Sequence, residues 1–263
     1  MSLSVVIITL NASAHIKQCL ESVKWADEII VLDSGSTDAT LEICKAYTSR
    51  VHTTDWPGFG RQKNRAIDYA TKEWVLSLDA DESLTPALQT EIQTVMQAQT
   101  HITAYQIKRL STFMGKRIEY GDWGRDWVVR LFKQGSARFS EALVHESLTT
   151  NGPVGTLHAT MDHDTVTSIE AALQKMNDYS TLCTQQMKAK GRKASFATAC
   201  LHGTWSFCRC YFIKRGFLDG KAGVLVALLT AQGSFYKYIK LMYATAPSPF
   251  KNSASADESC RPT

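Results

Sequence analysis

Apolar residues in this chain fall in short unbroken runs, separated by stretches where they recur every three or four positions. Residues 4–10 form a β-branched run of the kind expected of a strand covered on both faces. Residues 14–25 carry Ile16, Cys19, Leu20 and Val23 at helical spacing. The alternation continues with a strand over 28–32, a helix over 38–48, a short strand over 51–54 and a helix over 60–71. A buried strand over 74–78 follows, then a helix over 86–98 opened by Pro86, a residue suited to a first helical turn. Strands alternating with helices predict a parallel, doubly wound α/β sheet.

The pattern changes after residue 100. Residues 102–113 and 127–133 read as strands with no helix between them, which predicts a mixed-sheet continuation. From about residue 167 the chain turns helical, with Glu170, Leu173, Met176, Asn177 and Leu182 along one long helix. Residues 196–243 interleave aromatics with Lys and Arg, and the last stretch is rich in Ser, Ala and Pro. The expected organisation is a catalytic domain over 1–165, a helical appendage over 166–245 and a frayed tail over 246–263.

Composition narrows the class. With 263 residues, 44% of them hydrophobic and 21% charged, the chain can bury one substantial core and is not of disordered type. The net charge of +4 conceals an asymmetry: 17 Lys+Arg against 22 Asp+Glu over residues 1–182, and 12 against 3 over 183–263. A basic, aromatic C-terminal part suits an anionic surface. The apolar run 222–231 spans ~10 residues where a bilayer-crossing helix needs ~20. Contact in the membrane interface is therefore expected rather than a span. Seven scattered cysteines without a C-x-x-C spacing argue against a disulfide framework or zinc site. The N-terminus shows no basic n-region or cleavage site, so a cytoplasmic location is expected.

Three polar clusters follow predicted parallel strands, where open α/β sheets bind ligands: Thr9-Leu10-Asn11, Asp33 through Asp38, and Asp79-Ala80-Asp81-Glu82. For Asp38 a helix-capping role is the simpler explanation. Asp33 ends its strand ahead of the loop, and capping does not account for it. Carboxylates one residue apart repel each other unless a cation joins them, and hard oxygen ligands suit Mg²⁺ or Mn²⁺ beside a diphosphate.

The segments Ser4 to Asn11, Ile29 to Asp38 and Trp74 to Glu82 together resemble family 2 glycosyltransferases. Within that family, Trp25-Ala-Asp-Glu28, Arg130-Leu-Phe132, Val144-His-Glu146 and Arg215 to Gly220 resemble enzymes that add glucose to the heptose of the lipopolysaccharide inner core. The resemblance implies a GT-A fold, a UDP-sugar donor, a lipid-linked oligosaccharide acceptor, peripheral attachment to the inner face of the inner membrane, and no nucleic-acid partner. It also implies that Thr9, Asn11, Asp33 and Asp79 hold the nucleotide, that Lys63 approaches it, and that Asp81 binds the metal. His163 resembles a position near diphosphate or metal. Ala12-Ser13 stand where relatives often carry an acid, which puts one base contact in doubt.

An inverting transfer is a single displacement, so the acceptor proton must pass to a base across the sugar from the metal. Glu146 fits that place, with Asp126 as the second candidate; an ion pair of Glu146 with Arg130 or Arg138 would instead be structural. Arg130 reads equally as a sheet-surface residue or an acceptor-phosphate contact. A nucleotidyltransferase making nucleotide sugars would share the sheet and the carboxylates. Its Gly-rich basic loop is missing here, where Asn11-Ala-Ser-Ala14 follows the first strand.

Overall fold

The computed structural model describes residues 1–98, 100–124, 126–140 and 147–245. Its first half runs β1 (Leu3–Thr9), α1 (Ile16–Val23), β2 (Glu28–Asp33), α2 (Thr40–Lys45), β3 (Val51–Thr53), α3 (Phe59–Asp68), β4 (Trp74–Asp79), β5 (Glu82–Leu84) and α4 (Pro86–Gln97). Strands β6 (Ala104–Phe113), β7 (Lys116–Arg117), β8 (Asp126–Lys133), β9 (Ala137–Phe139), β10 (Leu148–Thr150) and β11 (Val154–Val166) follow. Helices α5 (Ile169–Ala189), α6 (Phe196–Cys208) and α7 (Gly220–Thr245) close the chain; a π-helical turn, Arg209–Ile213, and a 3₁₀ turn, Gly216–Asp219, join the last two.

All seven residues of β1 are buried, because helices cover both faces of its sheet. Leu3, Val5 and Ile7 pack with Ile16 and Leu20 of α1 and with Leu88 and Ile92 of α4. Val6 and Ile8 turn the other way, onto Ala66 and Ile67 of α3. Alternate residues thus enter two cores, which is why the run is continuous rather than alternating. The main sheet has the order β3-β2-β1-β4-β8-β6-β11-β5, with β7 beside β6. Strands β1 to β4 are mutually parallel, β8 runs antiparallel to β4 and β6, and β5 antiparallel to β11. The mixed-sheet continuation is therefore present.

Strands β5, β7, β9, β10 and β11 depart from the sequence expectation, β9 and β10 as a separate antiparallel pair. β5 follows immediately on the acidic cluster, and β11 inserts between β6 and β5 with register shifts at Thr156/Thr160 and His163/Val166. A third cluster packs Phe113 of β6 and Val166 of β11 against Cys210, Ala222 and Val226, seating the C-terminal helices beside the sheet. Among the described residues no helix is long and apolar enough to cross a membrane.

Candidate active site

The parallel register sets Thr9 beside Asp33 and Ile8 beside Asp79, so three strand ends share one edge of the sheet. A cleft of about 1010 Å³ opens there. Thr9, Asn11, Asp79, Asp81, Asp126 and His163 line its sheet side, while Lys175 and Tyr179 of α5, Arg209 of the π-helical turn and Lys237 of α7 line the helical side. Thr9 is 4% exposed and its Oγ1 is buried without a hydrogen-bond partner, an acceptor and donor held ready at the cleft.

The first loops brace one another. Asn11 adopts φ 47°, a left-handed conformation that asparagine tolerates. Its Oδ1 accepts Thr37 N–H at 2.8 Å, and its own N–H donates to Ser36 Oγ at 2.8 Å. Asp33 is fully buried and turned into its loop: Oδ2 accepts Gly35 and Ser36 N–H at 2.8 Å each, and Oδ1 accepts Ser36 Oγ–H at 2.5 Å. Gly35 takes φ 98°, so the turn needs glycine at that point. Asp38 accepts Thr40 N–H and Thr40 Oγ–H at the start of α2 and also Ser13 N–H. Those hydrogen bonds hold its carboxyl well below the usual range, Thr40 contributing most. The N-cap of α2 is Ala39 rather than Asp38, which instead holds Thr40 from one residue earlier and clamps the β1 loop.

In the cleft floor and beneath it runs an alternating set of charges. Asp79 Oδ1 meets Lys63 Nζ at 2.9 Å and Oδ2 meets Arg130 Nη2 at 2.7 Å. Glu82, fully buried, binds Arg130 Nη2 at 2.6 Å and Arg109 Nη1 at 2.7 Å, and accepts Asp79 N–H at 3.0 Å. Arg109 extends the set to Asp126, donating from Nε at 2.8 Å and Nη2 at 2.5 Å. Burial alone would raise the Asp79 carboxyl, but Lys63 and then Arg130 and Arg109 hold it far below the usual range. Burial likewise opposes the charge of Arg109 and Arg130, yet Glu82 with its fellow carboxylates drives both guanidinium groups still further toward protonation. Each buried ion is matched, which is the condition for tolerating ions there at all.

Asp81 is more open, with 29% of its side chain exposed, and Oδ2 lies 3.2 Å from His163 Nε2. His163 Nδ1 is 3.2 Å from Ser111 Oγ. Burial raises the Asp81 carboxyl, but His163 outweighs it and the carboxyl sits below its usual value. Among the described residues no group of three or more His, Cys, Asp and Glu is arranged to hold a metal. A cleft-facing carboxylate and an imidazole nitrogen 3.2 Å apart still suit Mg²⁺ or Mn²⁺, which take one or two protein ligands and complete their shell with phosphate oxygens and water. The donor set fits such an ion.

Sequence reasoning thus named residues from two layers. Thr9, Asn11, Asp79, Asp81, Asp126 and His163 meet at the cleft, and His163 sits within β11 opposite Glu82 and Ser111. Lys63 and Arg130, 2% and 4% exposed, support Asp79 from beneath, so Arg130 is neither a surface residue nor part of the cleft lining. Glu146, with its neighbour His145, lies outside the described residues. Arg109, Lys175 and Arg209 were not singled out. Arg109 carried a signal, a charge in the middle of a predicted strand; Lys175 and Arg209 reach the cleft only through tertiary packing.

Similarity to known proteins agrees with this geometry. The model of glycosyl transferase family 2 matches residues 4–140. An uncharacterized glycosyltransferase of Rickettsia prowazekii (strain Madrid E) is 32% identical over 251 residues, covering 91% of this chain and 86% of its own length. The lipopolysaccharide core biosynthesis glycosyltransferase LpsC of Rhizobium meliloti (strain 1021) is 27% identical over 252 residues, covering 90% and 93%. Among solved structures, S. aureus TarS 1-349 is 15% identical over 93% of this chain and 91% of its own, with a TM-score of 0.47. Glucosyl-3-phosphoglycerate synthase from Mycobacterium tuberculosis, solved with Mn²⁺ and UDP-glucose, is 26% identical over 42% of this chain and 44% of its own, with a TM-score of 0.36. With the family model spanning more than half of its length and a relative above 30% identity along nine-tenths of it, this chain belongs to glycosyl transferase family 2.

Proposed function

We propose that this glycosyltransferase moves glucose from UDP-glucose, with inversion, onto a lipopolysaccharide-type core acceptor carried by lipid. The single observation that carries the donor half is the Asp81–His163 pair in the cleft, next to the ends of the parallel strands. The acceptor half is supported by the likeness to LpsC along nine-tenths of the chain. On this reading residues 1–165 are the catalytic domain and 166–245 a membrane-proximal helical region, working peripherally at the cytoplasmic face of the inner membrane.

Thr9 and Asn11 line the donor end of the cleft and Thr9 Oγ1 awaits a partner, so they bind the uridine; Asp33 holds the loop that shapes that end. Asp79 is kept ionised and fixed by Lys63 and Arg130. Asp81 and His163 would hold Mg²⁺ or Mn²⁺, which would supply charge neutralisation for the leaving diphosphate. Lys175, on the opposite wall, adds a cation facing the same carboxylate. The proton of the attacking hydroxyl passes to Glu146 in this scheme. Asp126 lines the cleft as the alternative base, but its Oδ2 is already engaged by Arg109.

The test is product analysis with a panel of UDP-sugars and purified core oligosaccharide, with Mn²⁺ and with chelator. Glucosylated core with UDP release, lost in Asp81→Ala while the fold persists by circular dichroism, is the expected result. Transfer from another UDP-sugar in preference to UDP-glucose would overturn the donor assignment, and undiminished transfer by Asp81→Ala would overturn the site.

A further inference from the structure

The segment from α6 through the π turn is amphipathic in the wrong sense for water. Ala199, Gly203, Ser206 and Cys210 form its buried face, small and in part polar. Leu201, Trp205, Cys208 and Phe212 fall on the opposite stripe, at the spacing that aligns residues along one side of a helix. Leu201 is 72% exposed, Trp205 56% and Phe212 58%. Ile213, Phe217 and Leu218 continue the exposure, and Tyr211 joins Phe212 to Phe217 through edge-on ring contacts at 5.0 and 6.1 Å. A helix that hides glycine and serine while presenting leucine and tryptophan is built for an apolar medium outside it.

Charge identifies that medium. Residues 183–245 contain ten Lys and Arg and a single acid, Asp219. Asp219 is 5% exposed and occupied with the backbone N–H groups of Glu119 and Tyr120, so it presents no negative charge outward. Arg215 and Lys221 are exposed beside the apolar stripe. A second copy of the chain docked symmetrically would oppose like charges. An anionic bilayer satisfies both features, cations at the headgroups and Trp and Leu at the acyl boundary.

We propose that Leu201, Trp205, Phe212, Ile213, Phe217 and Leu218 form a membrane-inserting ridge, flanked by Arg215 and Lys221, that docks this enzyme on anionic lipid. The inner side of the same segment supplies Ser206 and Arg209 to the cleft. Because a helix with its side chains is about 10–12 Å across, docking holds the cleft within roughly one helix diameter of the headgroups. The ridge deepens the reading of a lipid-carried acceptor and rests on it for its purpose, though not for its physics.

The experiment is sedimentation of the full chain with extruded phosphatidylcholine vesicles, with and without phosphatidylglycerol, at low and high salt. Wild type is expected to pellet with anionic vesicles and to be released by salt. Leu201→Glu with Phe212→Glu is expected to weaken binding on the order of tenfold or more, since two large apolar groups leave the acyl boundary. Arg215→Gln and Lys221→Gln are each expected to weaken it about fivefold. UDP-glucose hydrolysis measured without vesicles stays at the wild-type level in all these variants, so loss of folding and failure of the donor assignment are read separately. Absence of pelleting with anionic vesicles, or a Leu201→Glu/Phe212→Glu variant that pellets like wild type, overturns the proposal. A wild-type dimer broken by the same pair, or RNA displacing the protein from vesicles through the ridge, would overturn it in favour of those partners.

Discussion

His163 stands between Asp81 and Ser111, with Nε2 3.2 Å from Asp81 Oδ2 and Nδ1 3.2 Å from Ser111 Oγ. A neutral imidazole that donates from Nε2 must accept at Nδ1, and the Ser111 hydroxyl supplies that proton. Were Asp81 and Nε2 to hold a cation, the ring hydrogen would sit on Nδ1 and Ser111 would accept it rather than donate. The serine serves both states by rotating its hydroxyl. Ser111→Ala is therefore expected to raise the Mn²⁺ concentration for half-maximal activity about 10–100-fold, the usual cost of losing a group behind a metal ligand, and His163→Ala to raise it further. A Mn²⁺ titration of donor hydrolysis reads this directly. Identical curves for all three proteins would exclude His163 from the metal.

Asp79 gives a pH dependence with a definite sign. Its carboxyl in the folded chain lies far below the ordinary value, so the stability it contributes is complete above the unfolded value of about 3.9 and declines as pH falls from there toward the depressed native one. Asp79→Asn is expected to cost about 2–3 kcal/mol at pH 7, less than for a fully enclosed pair because 23% of the side chain is open. The gap between wild type and variant should narrow at pH 3. Urea midpoints at both pH values test it, and a gap that widens in acid would contradict the assignment.

Glu82 is the common anion of Arg109 and Arg130. Its removal leaves two guanidinium groups facing each other in a buried space. Glu82→Ala is expected to destabilise by about 3–5 kcal/mol. Asp126→Ala should cost less, since Asp126 is half-exposed and binds Arg109 alone. Thermal melts rank the two, and the reverse order would mean that the charge set is held from its rim.

Thr9→Val separates binding from stability. Its Oγ1 is buried and unpartnered in the free chain, so replacing the hydroxyl by a methyl group leaves stability unchanged or raises it. If the hydroxyl bonds the nucleotide, UDP affinity falls about fivefold. Calorimetry with UDP measures the second effect and a melting curve the first. Equal UDP affinity in the two proteins would remove Thr9 from the donor contacts.

The parallel half of the sheet was legible because β1, β2 and β4 are buried on both faces, which leaves an unmistakable apolar run. β11 was not. Its inward positions include Ala159 and His163, and register shifts at Thr156/Thr160 and His163/Val166 change the phase of its alternation. β5 is three residues, Glu82-Ser83-Leu84, whose first side chain is a buried carboxylate that no hydrophobic pattern can announce. For the site, Asp81 was legible as one of two carboxylates beyond a strand. That Lys63 and Arg130 work beneath Asp79 rather than at the cleft surface depends on which way a helix and an antiparallel strand face, and one-dimensional spacing does not encode it.

Asp219 fastens two stretches of chain that are a hundred positions apart. Its carboxylate takes the amides of Glu119 and Tyr120, and its carbonyl takes Lys116 Nζ at 2.5 Å. Asp122 and Trp123, just beyond that fastening, line the cleft, and Asp122 Oδ2 binds Arg209 Nη2 at 2.9 Å, so the two stretches meet again at its rim. A rivet at this point makes that stretch of the rim a rigid sill: whatever enters the cleft meets a contour set at folding, and spends none of its own binding energy on shaping it.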